Sequence, residues 1–153
     1  MCQYLLPLEE LDSDRLLSNW KRQLPGDATL VAVSCFGDLF LAASNGHILW
    51  LDTLEGQLHA VANSVDEWRR LLDDPAKIDQ WFWPGFVESL QQRGESLAAA
   101  ECYAWQVHPV IGGALESTNL KPMDVFAYHT VISQLHQLSE GFQPTGFIYE
   151  DDA

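Results

Sequence analysis

The first half of the chain alternates between short runs of apolar or β-branched residues and turn residues, a pattern that indicates an antiparallel meander. Gly37-Asp38 interrupts the first run, and Glu55-Gly56 precedes the last. Between the two middle runs lies Asn45-Gly46, which favours a tight hairpin because both central residues of such a turn need positive φ. The predicted strands cover residues 29–36, 39–43, 48–51 and 58–62.

Apolar side chains repeat at helical spacing in the segment before the meander. The run begins behind Ser13, a candidate cap, and stops at Pro25-Gly26. We therefore predict a helix over residues 14–23. The repeating apolar residues are Leu16, Leu17, Trp20 and Leu24.

Helices also dominate the second half of the chain. Ser64 and Glu67 form a capping box at the start of a helix that ends before Pro75. Pro84 suits the first position of a further helix, and Gly94 suits its end. The remaining predicted elements are a short helix or turn at 79–83, a strand at 102–107 and an amphipathic helix at 125–138.

These patterns predict an α+β fold, in which an antiparallel meander packs against several helices in a single domain. The 153 residues are 47% apolar, which is enough for one sizeable core. The expected divisions are an N-terminal helical segment at 1–28, the α+β domain at 29–140 and an acidic tail at 141–153 that frays. The residues expected to be largely buried are Trp50, Trp68, Val131 and Leu135.

The chain is strongly acidic, with 22 Asp and Glu against 8 Lys and Arg and a formal net charge of -14. This charge argues against direct binding to nucleic acid, whose phosphates attract cations, and favours basic partners. No apolar run reaches the roughly 18 residues of a membrane span, and no signal peptide is predicted. The three cysteines, Cys2, Cys35 and Cys102, are widely spaced, which favours reduced thiols and a cytoplasmic location.

Two groups of residues have the side-chain types of metal ligands. The first could hold zinc, but the sequence lacks the i, i+4 histidine pair that is typical of compact helical sites. The second is acidic, but it lacks the alternating ligand spacing of a calcium loop. We therefore predict no metal and no cofactor, and we expect the helical histidines to flank the core and to hydrogen-bond backbone or water. The two groups are Cys102, His108, His129 and His136, and Asp73, Asp74 and Asp79.

The sequence offers little for catalysis. Cys102, His129 and Asn119 could form a thiol-protease set, but Cys102 lies in an apolar run, where cysteine behaves as a small buried hydrophobe. The glycine pair at 112–113 lacks the Lys and Ser or Thr of a phosphate loop. We therefore predict that the protein is not an enzyme. The alternative is an intracellular regulatory domain, or a small hydrolase or ligand-binding domain that uses Gly112, Gly113, His129 and His136.

Acidic and aromatic residues adjoin in one stretch of the second half. Large aromatic side chains among charges are common in the central residues and rims of protein interfaces. The same residues could instead complete the core and its solvated edge. We predict that this stretch binds a partner protein, through Asp73, Asp74, Asp79, Trp81 and Trp83.

Several short motifs stand in a fixed order along residues 29–138. They are Phe36-Gly37-Asp38-Leu39-Phe40-Leu41, Asn45-Gly46, Trp50-Leu51-Asp52, Gly56, Val61-Ala62-Asn63-Ser64, Trp81, Cys102-Tyr103, Pro109-Val110-Ile111-Gly112-Gly113, Asn119, His129, Gln134 and His136. In this order they resemble the Tdi1-type immunity proteins of bacterial type VI secretion. Members of that family often carry a further N-terminal domain, where this sequence has a short helical segment.

The resemblance implies binding and not catalysis. Immunity proteins of this family bind a co-produced DNase effector and block it. A nuclease presents cations to DNA, so an inhibitor charged at -14 gains association rate from charge complementarity. The resemblance therefore predicts a basic toxin as the partner of this chain.

Overall fold

A four-stranded antiparallel sheet and a separate two-stranded sheet form the frame of the computed structural model, which describes residues 3–142. The strands are β1 (Thr29–Val33), β2 (Leu39–Ala42), β3 (Ile48–Asp52), β4 (Gln57–Ala62), β5 (Glu101–Trp105) and β6 (Leu120–Asp124). The helices are α1 (Ser13–Ser18), α2 (Val65–Leu71), α3 (Pro75–Phe82), α4 (Pro84–Gln92) and α5 (Val125–Phe142). This architecture confirms the predicted α+β class.

The larger sheet is the predicted meander, with strand order β1-β2-β3-β4 and antiparallel pairing throughout. The β2–β3 hairpin turns at Asn45-Gly46. Gly46 adopts φ +89°, and the Asn45 side chain accepts a hydrogen bond from the amide of His47 at 3.0 Å. Local turn chemistry therefore sets the position of this hairpin.

Local capping also positions the helices after the meander. The Ser64 hydroxyl accepts from the amide of Glu67 at 3.1 Å, and the Glu67 carboxylate accepts from the amide of Asn63 at 2.6 Å. The short helix predicted at 79–83 begins earlier, at Pro75, because the Asp74 carboxylate caps it by accepting from Ala76 at 2.9 Å.

Two further elements differ from the sequence predictions. The N-terminal helix is shorter than predicted, and Asp12 caps it instead of Ser13. Strand β6 was not predicted, because its sequence, Leu-Lys-Pro-Met-Asp, contains a proline and no β-branched residue. Pro122 is tolerated because β6 pairs with β5 alone, which leaves its other edge without a strand partner among the described residues.

Both faces of the meander are covered. Along β2, Leu39 and Leu41 pack into the core formed with α1, α4, α5 and β5, whereas Phe40 packs into a second core with α2 and α3. This alternation follows from the two-residue period of a strand. Trp50 and Trp68, at 7% and 4% exposure, belong to the second core, so their predicted burial is confirmed.

Helix α5 buries only part of the apolar side that its sequence pattern predicts. Val131 is 48% exposed, so its predicted burial is wrong, whereas Leu135 is partly buried. The buried face instead carries two histidines, with His129 at 0% and His136 at 3% exposure, beside Tyr128, Ile132 and Ser133. The pattern of apolar side chains alone did not identify this face, because polar residues occupy part of it.

The described part of the N-terminal segment packs into the same core as the α+β region. Leu16 and Trp20 are fully buried there, and the amide of Leu6 donates to the carbonyl of Val33 at 2.8 Å. At the other end, α5 continues to Phe142, and residues 143–153 of the predicted tail lie outside the described residues. None of the described helices is both long and apolar enough to cross a membrane.

Candidate functional site

A cavity of about 560 Å³ lies where the β3–β4 hairpin meets α3 and β5. Aromatic and titratable side chains both line it. The aromatic residues that line it are Phe36, Trp50, Trp81, Trp83 and Trp105. The titratable residues that line it are Asp38, Asp52, Glu55, His59 and Lys77.

Asp38 is a buried carboxylate in the wall of this cavity, at 7% exposure. Its Oδ1 accepts from the amide and the hydroxyl of Thr53, at 3.0 and 2.6 Å, and its Oδ2 accepts from Trp50 Nε1 at 3.1 Å. The Ser34 hydroxyl accepts from the Asp38 amide and holds the turn that presents it. Asp38 therefore ties the β1–β2 connection to the β3–β4 hairpin.

The register of the meander brings two carboxylates to the same end of the sheet. Leu39 of β2 pairs with Leu51 of β3. Asp38, immediately before Leu39, and Asp52, immediately after Leu51, therefore lie next to each other. Burial, and then the charge of Asp52, raises the pKa of Asp38 to about 7. Burial also raises the pKa of Asp52. The salt bridges of the described residues join Arg69 to Asp66 and Arg93 to Glu95, so no Lys or Arg pairs with either cavity aspartate.

Trp81 also lines the cavity and is 2% exposed. Its ring packs edge-on against Phe40 at 5.1 Å and lies 6.5 Å from the Trp50 ring, between ring centroids. The ammonium of Lys77 lies 5.8 Å from the Trp81 ring centroid and donates to the Gln80 side chain at 3.3 Å. A cation of the chain itself thus already faces this wall.

Trp83 forms the corner between α3 and α4 and adopts the left-handed conformation, with φ 43° and ψ 66°. This conformation is strained for a bulky residue, and packing against Phe36, Phe86 and Trp105 holds it. The corner places Trp83 in the wall of two spaces. One is the 560 Å³ cavity, and the other is an adjacent groove of about 430 Å³ that Asp79 and Leu115 also line.

The structure brings together part of the predicted partner-binding set. Asp79 and Trp83 line the groove, and Trp81 and Trp83 line the cavity. Asp73 is exposed at the end of α2, and Asp74 caps α3, so both acids lie at the opposite end of α3 from Trp83. Trp81 is a buried wall residue, so Trp83 is the more accessible aromatic of the pair.

The residues of the alternative pocket lie apart from this cavity. Nδ1 of His129 accepts from Trp20 Nε1 at 2.9 Å and its Nε2 donates to the carbonyl of Gly37 at 2.7 Å, so both ring nitrogens are engaged. Burial lowers the pKa of His129 to about 4. Gly112 ends a 3₁₀ turn at φ +101°, and Gly113 packs directly on the carbonyl of Val107, where a side chain would not fit.

Thr53 connects the cavity to the far side of the core. Its carbonyl accepts from Nε2 of His136 at 2.9 Å and from Nε2 of His108 at 3.0 Å, while its amide and hydroxyl donate to Asp38. The predicted hydrogen bonding of the helical histidines to backbone is confirmed. Their predicted place at the flank of the core is wrong, because His129 and His136 lie inside it.

Replacing Gly56 should show how tightly the β3–β4 turn is packed against His136. Gly56 has φ +70°, and an added Cβ would lie 2.5 Å from Cγ of the His136 ring. We expect Gly56→Ala to reduce the free energy of unfolding by about 2 kcal/mol or more. Gly46→Ala is the matched control, because Gly46 also has positive φ, at +89°, but has nothing within 4 Å of the added Cβ. Equal losses in urea denaturation would mean that the contact with His136 contributes nothing.

Sequence reasoning missed the carboxylates of the cavity. Asp38 and Asp52 are 14 positions apart, and in the sequence each simply follows an apolar run. The Asn45-Gly46 hairpin lies midway between them, so the hairpin register was the signal that could have placed them side by side.

Residues 62–136 match the family model described as T6SS immunity protein Tdi1, C-terminal. This segment is similar to the Tdi1 C-terminal family. It runs from the last residue of β4 into α5 and includes the α3–α4 corner with Trp81 and Trp83. The match covers just under half of the chain and confirms the resemblance over these residues.

A solved structure shares the fold beyond the segment matched to the Tdi1 C-terminal family. It is described as the crystal structure of Atu4351 from Agrobacterium tumefaciens, with 16% sequence identity and a TM-score of 0.51. The alignment covers 81% of this chain and 65% of that one, so this chain spans just under two thirds of its length. At this identity the likeness shows the fold alone. No curated protein matches the chain.

Proposed function

We propose that this protein is an immunity protein that neutralises a secreted DNase-type toxin by binding it directly. The observation that carries the proposal is the match of residues 62–136 to the Tdi1 C-terminal family, because that family is one of type VI secretion immunity proteins. In this proposal the protein acts in the cytoplasm without a cofactor and is not itself an enzyme.

The charge of the chain supports a basic partner. A net charge of -14 would repel nucleic acid and would attract a protein whose own surface is shaped to hold DNA. Complementary charge acts mainly on the rate of association. We therefore propose that the acidic surface of this chain meets the cationic surface of the toxin.

The α3–α4 corner is the proposed centre of the interface. Trp83 is partly exposed there and adjoins Asp79 and the exposed side chain of Leu115, which is 59% accessible. An aromatic side chain with an apolar neighbour and a charged rim is the usual composition of an energetically important interface region. The buried histidines, whose rings bond main-chain carbonyls, are better suited to a structural role than to hydrolysis.

Charge removal tests the acidic part of this interface. We expect the triple variant Asp73→Asn, Asp74→Asn, Asp79→Asn to lower the association rate with the toxin about ten-fold at low salt, with a smaller effect at high salt. Asparagine keeps the cap at position 74, so α3 should persist. The matched control neutralises three exposed acids of the N-terminal segment, Glu9, Glu10 and Asp14.

If a nuclease toxin is encoded beside this gene, the measurement is surface plasmon resonance with that toxin, together with inhibition of its DNA cleavage. Trp83→Ala should weaken the complex at least ten-fold and therefore reduce the inhibition of DNA cleavage. Circular dichroism must first show that this variant is folded. Normal binding by both variants would place the interface elsewhere. No binding by the parent protein would refute the proposed function itself.

A further inference from the structure

The 560 Å³ cavity has the chemistry of a cation site. We propose that it receives a cationic side chain, an arginine or lysine, of the partner protein. This inference rests on the proposed function, because the partner is the toxin that the protein is proposed to bind. It adds a specific pocket to that interface and a chemical class of residue that fills it.

The acidic residues that line the cavity outnumber its one lysine. Asp38, Asp52 and Glu55 line it, against one lysine, Lys77. No salt bridge of the described residues involves any of these three acids. Oδ2 of Asp38 accepts one hydrogen bond, from Trp50, and a carboxylate oxygen can accept two. A donor with positive charge would complete this arrangement.

The aromatic wall favours the same ligand. Trp50 and Trp81 present large rings to the cavity, and the face of a tryptophan ring attracts ammonium and guanidinium groups. Lys77 illustrates this attraction, since its ammonium lies 5.8 Å from the Trp81 centroid. Carboxylates and indole rings that line one space provide both the charge and the flat surface that a guanidinium uses.

The position of the cavity points to a side chain of the protein partner. Trp83 lines both the cavity and the groove that contains Asp79, so a protein seated on the α3–α4 corner would lie beside the cavity. The volume of about 560 Å³ lies within the range of roughly 300–1,000 Å³ that is usual for ligand pockets. One long basic side chain could enter it while the rest of the partner covers the corner.

The first experiment needs no toxin. Arginine amide would be titrated into the intact protein while the indole N–H signals of the tryptophans are followed by NMR. We expect it to shift the signals of Trp50 and Trp81. Citrulline amide, which has nearly the same shape without the charge, should leave them unchanged. Equal shifts with both probes, or no shift with either, would overturn the proposal.

Paired variants of opposite charge test the electrostatic argument. Asp52→Asn should weaken arginine amide binding about five-fold, and it keeps an oxygen that can accept from the Leu54 amide. Lys77→Gln should strengthen the binding by a similar factor, because it removes the competing cation. Glu88→Gln, on the exposed side of α4, is the matched control and should change nothing. An unchanged affinity in the first two variants would contradict the proposed role of charge.

The same variants with the toxin separate this proposal from the proposed function. Weaker toxin binding by Asp52→Asn, with normal binding by Glu88→Gln, would support the cavity as the pocket for a toxin side chain. Normal toxin binding by both would overturn that occupant and leave the immunity function standing. If arginine amide binds but the toxin does not bind the parent protein, the site serves a free cationic molecule, and the proposed occupant and the proposed function both fail.

Discussion

His129→Ala should reduce the free energy of unfolding by about 4 kcal/mol at pH 7. The substitution removes a fully buried ring and leaves two polar groups without their partner, Nε1 of Trp20 and the carbonyl of Gly37. A cavity of this size and two unsatisfied buried groups each contribute a cost of a few kcal/mol, partly offset by relaxation. Urea denaturation measures the difference. His47→Ala, at an exposed turn position, should cost less than about 0.5 kcal/mol.

The effect of His129→Ala should shrink in acid. The folded protein holds the pKa of His129 at about 4, below the ordinary value of 6.5, because burial disfavours the charged ring. The stability that depends on its neutral form is therefore complete above pH 6.5 and is lost as the pH falls towards 4. We expect the cost of the substitution to be about 2 kcal/mol smaller at pH 4.5 than at pH 7. A cost that is independent of pH would contradict the burial of a neutral ring.

Asp38→Ala should reduce the free energy of unfolding by about 3 kcal/mol at pH 7. It leaves three donors near the cavity without an acceptor, one from Trp50 and two from Thr53. Denaturation followed by tryptophan fluorescence is suitable, because Trp50 is one of these donors. Asp66→Ala, at an exposed position of α2, is the matched control and should cost far less.

The cost of Asp38→Ala should change with pH in the opposite direction to the cost of His129→Ala. The pKa of Asp38 is about 7 in the folded protein and 3.8 ordinarily, so the folded state binds the proton more tightly. The resulting stability is complete below pH 3.8 and is lost as the pH rises through 7. The cost of Asp38→Ala should therefore be about 2 kcal/mol larger at pH 5 than at pH 7. A cost that is the same at pH 5 and at pH 7 would show instead that the carboxylate is ionised throughout this range.

The parts of the fold that were predictable from sequence are those that short segments determine. The Asn45-Gly46 turn and the Ser64–Glu67 capping box use residues within four positions of each other. The capping box formed as predicted, and the hairpin lies at the predicted position, although Gly46 alone of its two turn residues has positive φ. Strand β6 depends on pairing with β5, some 20 residues away along the chain, and its proline concealed it. The burial of His129 on α5 was not predicted, because it depends on contacts with Trp20 and Gly37, which are distant in sequence.

In the candidate site, too, residues that are close in sequence were predictable and residues placed by tertiary contacts were not. Asp79, Trp81 and Trp83 were found because they are neighbours in the sequence, and α3 keeps them near one another. Asp38 reaches the cavity through the register of the meander and through its bonds to Thr53. A carboxylate that is buried by tertiary contacts leaves only a weak mark in a single sequence, since Asp is also a common turn residue.

The carbonyl of Thr53 has a consequence for where the protein can be divided. It accepts from His108 and His136, which lie inside the segment matched by the family, whereas Thr53 itself lies outside it. A fragment restricted to residues 62–136 would carry both imidazole donors without their acceptor. It would also lose β1, β2, β3 and all but the last residue of β4. The limits of the family segment are therefore not the limits of a unit that folds by itself. A minimal expression fragment should retain the chain from the N-terminal segment through α5.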